Sequence, residues 1–76
     1  MVKKLTEIPA GKNVTIKDFA NDELFIKLME MGCVPGEIIC IDKIAPLGDP
    51  ISIAVSGYFL SLRKEEAANI LVEEIL

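Results

Sequence analysis

The fold is decided by a stretch of nine residues in the middle of the chain, Leu28-Met29-Glu30-Met31-Gly32-Cys33-Val34-Pro35-Gly36. Gly32 has no Cβ and readily adopts the left-handed conformation that ends a helix. Pro35-Gly36 is a turn signal, and a run rich in β-branched residues follows it. The stretch therefore predicts a helix that ends near Gly32 and a β-strand that begins just after Gly36.

The residues before this stretch predict where the helix begins. Asn21 is a good N-cap because its side chain can accept hydrogen bonds from the free amides of the first turn. Asp22 and Glu23 follow it, and negative charge is favoured at this end of the helix dipole. We expect a helix over 22–31. Its apolar residues recur one turn apart and predict a broad face that covers a core: Leu24, Phe25, Leu28 and Met29.

Short apolar runs separated by glycine and proline account for the rest of the chain. Their composition and alternation predict strands at 14–17, 37–45, 51–56, from Tyr58 onward and at 70–75. Ser56-Gly57 predicts a two-residue hairpin turn, and 64–69 a short helical turn. No linker or repeat divides the chain, so a single domain over residues 1–76 is expected. The predicted fold class is mainly β, a small SH3-like β-barrel of about five strands with a helical insertion after the first strand.

Length, composition and charge exclude several classes of function. The chain has 76 residues, of which 51% are hydrophobic, so a core can form but a large active-site cleft is not expected. The net charge is −4, and the basic residues are scattered, which disfavours a nucleic-acid partner because phosphate contacts need a basic face. No apolar run approaches the ~20 residues of a membrane span, and the N-terminus lacks a signal-peptide core. We expect a cytoplasmic protein without direct membrane insertion.

The residue types that catalysis and metal binding require are missing or badly spaced. The chain has no histidine, which removes the usual general base and the commonest nitrogen ligand for iron or zinc. Six residues separate Cys33 from Cys40, unlike the two-residue spacing of zinc ribbons and redox dithiols. The pairs Glu65-Glu66 and Glu73-Glu74 are typical of a solvated face. The sequence therefore predicts no enzyme activity, no catalytic residue, no cofactor and no metal site.

The succession of glycines, prolines and apolar residues resembles the FeoA family of small cytosolic proteins of bacterial ferrous iron uptake. The matching positions extend over almost the whole chain: Leu5, Gly11, Leu28, Gly32, Pro35, Gly36, Pro46, Asp49, Pro50, Gly57, Leu60, Leu62, Arg63, Glu66, Ala67 and Ile70. The resemblance implies an SH3-like barrel and an accessory role in ferrous iron import. It also implies a protein partner, the cytoplasmic part of the FeoB permease.

The departures from the family pattern point to a candidate partner surface. Many relatives carry an arginine where this chain has Ile26-Lys27, and a leucine where it has Met31. Adaptable apolar side chains on the helix suit a contact surface, so we expect Ile26, Met29 and Met31 to bind the partner. Met29 and Met31 also suit a core position.

Other functions remain open alternatives. They are a transition-metal-binding sensor or carrier of iron homeostasis, a scaffold unrelated to iron, and a small enzyme. Self-association is also left open. A conventional SH3 peptide groove is a poor match, since such grooves are lined with aromatic side chains and the chain has no Trp and one Tyr.

Overall fold

The computed structural model of the protein describes residues 1–75 and shows a mainly β fold, as the sequence predicts. Leu76, the last residue of the expected domain, lies outside the described residues. The strands and helices, in chain order, are β1 (Val2–Lys4), a 3₁₀ turn (Leu5–Glu7), β2 (Asn13–Phe19), α1 (Asp22–Glu30), β3 (Ile38–Ile44), β4 (Ile51–Val55), β5 (Tyr58–Leu62), α2 (Lys64–Ala67) and β6 (Ile70–Glu74).

All the strands belong to one antiparallel sheet, in the order β1-β6-β2-β3-β4-β5. The inner face of this sheet, together with α1 and the two short helical segments, encloses one apolar core. The core residues are Leu5, Ile8, Val14, Ile16, Phe19, Leu28, Cys33, Ile39, Ile41, Ile51, Ile53, Val55, Leu62, Ala67, Ile70 and Val72. Among residues 1–75, no polar or charged residue is buried with them.

The sheet has six strands rather than the predicted five or so, and the additional strand is the N-terminal β1. This segment is short and contains Lys3 and Lys4, so it lacks the apolar alternation of a strand. It becomes a strand by pairing with β6, where Lys3 lies opposite Val72. The helical insertion consequently follows the second strand along the chain, β2, which is the strand predicted as the first.

The boundaries of the other elements differ from the predicted ones by a few residues. β2 is longer than predicted at both ends, and α1 ends one residue earlier than predicted, at Glu30. Met31 lies outside the helix with φ −95° and ψ 9°. The short helical turn ends at Ala67 rather than Asn69, and β6 ends at Glu74.

Both ends of α1 are closed by the residues that predicted them. The Asn21 side chain accepts hydrogen bonds from the backbone N–H groups of Glu23 (2.9 Å) and Leu24 (3.2 Å). At the other end, Gly32 has φ +88°. Its N–H donates to the carbonyl of Met29 (3.1 Å), and the next N–H, of Cys33, donates to that of Leu28 (2.9 Å). This is the Schellman arrangement, which satisfies carbonyls that the helix leaves unpaired.

The apolar face of α1 anchors the helix on the barrel. Leu28 is fully buried, and Leu24 and Phe25 pack against the core from the rim. The rings of Phe19 and Phe25 meet edge to face, with centroids 5.2 Å apart and planes at 85°. The helix is therefore held through buried side chains on one face while its opposite face remains in solvent.

The β4–β5 hairpin turns through Ser56 and Gly57, as predicted. Both residues have positive φ, +49° at Ser56 and +83° at Gly57. Two consecutive positive φ values are the mark of a type I′ turn, whose twist matches that of the flanking strands. Val55 and Tyr58 lie opposite each other on either side of the turn.

Gly57→Val should lower the free energy of unfolding by about 1–3 kcal/mol, because a β-branched residue is strained at this positive φ. Chemical denaturation measures the change. Gly57→Asn is the matched control, since asparagine tolerates the left-handed region, and it should cost much less. Equal midpoints for the wild type and the valine variant would contradict the turn assignment.

Candidate interaction surface

The solvent face of α1 carries two large apolar side chains. Ile26 is 62% exposed and Met29 is 42% exposed. Residues three apart on a helix are surface neighbours, so the two side chains lie side by side on the helix. We call this pair the helix patch. Met31, the third predicted partner residue, is only partly exposed and packs against the core, so it supports the patch from behind.

A charged contact holds the flank of α1 beside α2. The Lys27 ammonium lies 2.9 Å from Glu66 Oε2. The other carboxylate oxygen of Glu66 accepts a hydrogen bond from the backbone N–H of Arg63, also at 2.9 Å. The pKa of the Glu66 carboxyl is held below its usual value, first by the hydrogen bond from Lys27 and then by that from Arg63. Glu66 thereby ties the helical insertion to the segment that follows β5.

Tyr58 brings the β4–β5 hairpin against the C-terminal end of α1. A Cβ at Gly32 would lie 3.3 Å from the Tyr58 hydroxyl oxygen, so a larger residue would be both strained and crowded there. Tyr58 remains 40% exposed. The sequence pattern puts Tyr58 on one face with Leu60 and Leu62, but of these only Leu62 is fully buried. The contact between Tyr58 and the end of α1 depends on the β4–β5 hairpin folding over Gly32, and no local sequence pattern indicates this.

Phe59 is the other exposed aromatic residue of β5, and it was missed as a surface candidate. Its side chain is 69% exposed and lies opposite Ala54, on the outer face of the sheet. The alternation of β5 groups Phe59 with Ser61 on the face opposite Leu60 and Leu62, but an aromatic residue on that face is not by itself a sign of exposure. The exposure of Phe59 follows from its outward orientation, because Ile38 on the interior strand β3 is also exposed, whereas its neighbour Ile39 is buried.

The two cysteines are free thiols with different surroundings. Cys33 is fully buried at the end of α1, and Cys40 is half-buried on the outer face of β3. Burial raises the pKa of the Cys33 thiol, and the nearby Glu37 carboxylate raises it further. A protonated thiol is a poor metal ligand and a poor nucleophile. Across residues 1–75, no group of three or more Cys, Asp or Glu side chains is positioned to hold a metal ion.

The part of the chain described by the structure contains no helix long and apolar enough to cross a membrane.

The class that these observations define is a small SH3-like β-barrel domain with one inserted helix. The FeoA domain model matches residues 3–74. The chain belongs to the FeoA family, as its sequence resemblance indicates.

The relatives of the chain include both a longer fusion protein and small proteins of solved structure. The chain is 38% identical over 73 residues to an Fe(2+) transport protein A/Fe(2+) transporter FeoB fusion protein of Porphyromonas gingivalis. That match covers 95% of this chain but 9% of the fusion protein, so the chain spans less than a tenth of that relative.

Two structures solved by NMR have the same fold. The FeoA-like protein of Clostridium acetobutylicum is 41% identical, with a TM-score of 0.90 over 99% of this chain and 88% of that one. Iron(II) transport protein A of Clostridium thermocellum is 43% identical, with a TM-score of 0.88 over 96% of this chain and 46% of that one. These similarities confirm the mainly β, SH3-like fold.

Glu66→Gln should destabilise the protein at neutral pH by about 0.5 kcal/mol, a small value because Lys27 is largely exposed. Because the pKa of the Glu66 carboxyl is lowered by folding, its contribution to stability is complete at pH values above the pKa that this carboxyl has in the unfolded chain. The contribution is lost as the pH falls through the lower, folded value. The wild-type and variant unfolding curves should therefore converge in acid. Glu65→Gln, at an exposed neighbour, is the control and should shift neither curve; a pH-independent difference for Glu66→Gln would contradict the ion-pair assignment.

Proposed function

We propose that the protein is an accessory adaptor of ferrous iron uptake that binds the cytoplasmic part of a FeoB-type permease. Residues 1–76 would act as a single FeoA-like domain in the cytoplasm. Support comes from the relative in Porphyromonas gingivalis, whose name joins Fe(2+) transport protein A and the transporter FeoB in one chain. Covalent fusion gives two modules a high effective concentration, which suits partners that otherwise associate through a modest interface.

The observation that carries the proposal is the helix patch. Ile26 exposes 62% of its surface to water although the apolar face of the same helix is already buried in the barrel. Full burial of an exposed aliphatic side chain of this size contributes ~1.5–3 kcal/mol, and burial of the remaining exposed part of Ile26 contributes about 1–2 kcal/mol. Because α1 is fixed by the core and by the Lys27–Glu66 contact, little conformational entropy is lost when the patch is covered.

The chemistry of the described residues supports an adaptor rather than an enzyme. The two exposed side chains of the helix patch are apolar and carry no group that titrates or attacks a substrate. The barrel interior is filled with aliphatic residues. Ferrous iron enters this proposal as the cargo of the permease, and the adaptor acts on it through protein contact.

A metal sensor or carrier would require ligands that the chain itself supplies. The thiol of Cys33 is buried and has a raised pKa, so binding a metal there would require deprotonation inside the core. Cys40 lies on a different element and is only half exposed. These surroundings favour the adaptor over the sensor or carrier.

Ile26→Asp should weaken binding to the cytoplasmic part of the permease about tenfold or more, because the variant places a charge where the interface is dry. Calorimetric titration measures the affinity. Leu47→Asp is the matched control, since Leu47 is 89% exposed in the loop between β3 and β4, and it should bind as the wild type does. Thermal melting of both variants verifies the fold. Undiminished affinity of Ile26→Asp would refute the helix patch, and loss of cooperative melting would identify Ile26 as a core residue.

Anaerobic titration of the isolated protein with ferrous iron should give weak, unsaturable binding, no tighter than to a generic acidic surface. Cys40→Ser and Cys33→Ser should leave this behaviour unchanged. A saturable one-to-one site of micromolar or better affinity, abolished by either substitution, would replace the adaptor with the sensor or carrier.

A further inference from the structure

Among the described residues 1–75, one edge of the sheet is unpaired along its whole length. β5 (Tyr58–Leu62) is the last strand in the sheet order, and within residues 1–75 its backbone pairs with β4 and with no other strand. No backbone hydrogen bond from a turn or loop reaches it in that part of the chain. An unpaired edge presents a row of N–H and C=O groups that can template another strand.

The hairpin decides which backbone groups of β5 point outward. In a two-residue hairpin the residues that flank the turn, here Val55 and Tyr58, form a hydrogen-bonded pair. Such pairs alternate along an antiparallel ladder, so Tyr58, Leu60 and Leu62 direct their backbone groups towards β4. Phe59 and Ser61 direct theirs away from the sheet. The free edge therefore offers two donors and two acceptors, from two residues.

β5 lacks the features that usually protect an edge strand. It contains no charged residue and no proline, and its pairing with β4 runs without a register shift. The opposite edge of the sheet, β1, has three residues, of which Lys3 and Lys4 are charged. Charge and shortness are common means of blocking edge-to-edge association. Only the β1 edge is blocked in these ways.

We propose that β5 pairs with β5 of a second copy of this chain, antiparallel and about a two-fold axis at Leu60. The two sheets then form one continuous sheet across the dimer. This interface is separate from the helix patch and goes beyond the proposed adaptor function. A homodimer of this kind is isologous, because the same edge is used by both copies.

The outward groups select one register for this pairing. When Phe59 lies opposite Ser61 of the second copy, the two-fold axis also places Ser61 opposite Phe59. Both are then hydrogen-bonded pairs, and all four outward N–H groups of the two copies find acceptors. If the register shifts by two residues, either Phe59 or Ser61 lies opposite the same residue of the second copy. The remaining outward residue of each copy then lies opposite a position outside β5. Leu60 faces itself in the close, non-hydrogen-bonded pair at the axis.

Side chains and charges at the ends of the interface agree with a second copy as the occupant. The exposed Phe59 rings become diagonal neighbours on the outer face, at a separation that aromatic side chains can span. Arg63 follows the strand and comes opposite Gly57 of the second copy. There Ser56 Oγ lies 3.3 Å from a carboxylate oxygen of Glu37. The cation of each copy thus approaches the hairpin turn of the other copy, where a carboxylate lies.

Sedimentation equilibrium of the full chain, up to about 1 mM, should show a reversible monomer–dimer equilibrium, since a short edge supports a weak dimer. Phe59→Lys places two like charges across the interface and should weaken dimerisation about tenfold or more. Val2→Lys puts the same charge on the other edge and is the matched control, with no expected effect. Ser61→Pro should also abolish the dimer, because it removes one outward N–H donor from each copy. The variant should still fold, since proline is tolerated where an edge N–H faces solvent.

An isotope-filtered NMR experiment on a mixed labelled and unlabelled sample tests the register directly. An intermolecular NOE between the Leu60 Hα atoms of the two copies is expected, since these atoms meet at the two-fold axis. A protein that stays monomeric to 1 mM, a dimer that survives Phe59→Lys, or a dimer without the Leu60 contact would overturn the proposal. Phe59→Lys should still bind the permease, so failure of this proposal leaves the adaptor function standing, and the reverse also holds.

Discussion

The structure depends on how α1 ends. Gly32, at φ +88°, reverses the chain so that Leu28, the last buried residue of the helix, and Cys33, the first residue beyond the turn, both enter the core. The hydrogen bond from the Cys33 N–H to the Leu28 carbonyl closes this turn. A residue with a side chain at Gly32 would be strained and would also crowd the Tyr58 hydroxyl. The helix and the hairpin over its end therefore rely on the same glycine.

The helix patch is a consequence of that anchoring. One face of α1 is occupied by Leu28 and the partly buried Phe25, and Glu66 holds its flank through Lys27, so Ile26 and Met29 have no place in the core. Exposed apolar area of this kind on a rigid element is suited to a protein partner, because association buries it without ordering a loop.

The two edge strands of the sheet differ in length and charge. β1 is short and carries two lysines, whereas β5 is longer, uncharged and continuous. An edge without charge or bulge presents unpaired backbone groups that can pair with a further strand. The barrel therefore has two different surfaces, an apolar helix face that offers side chains and a strand edge that offers backbone groups.

Local physics let the sequence by itself determine the ends of α1, the hairpin turn at Ser56-Gly57 and the mainly β class, while the resemblance of its sequence pattern indicated the FeoA family. Asn21 caps amides two and three residues away. Gly32 and Gly57 adopt positive φ at the end of α1 and in the hairpin turn, respectively. Contacts between distant segments were decided only by the tertiary structure. β1 is a strand because β6 lies beside it, and Met31 is partly buried because the core lies behind it. Phe59 is exposed because its side chain lies on the outer face of the sheet. A residue's own sequence neighbourhood carries little information about which distant strand will cover it, since burial is a property of the assembled sheet.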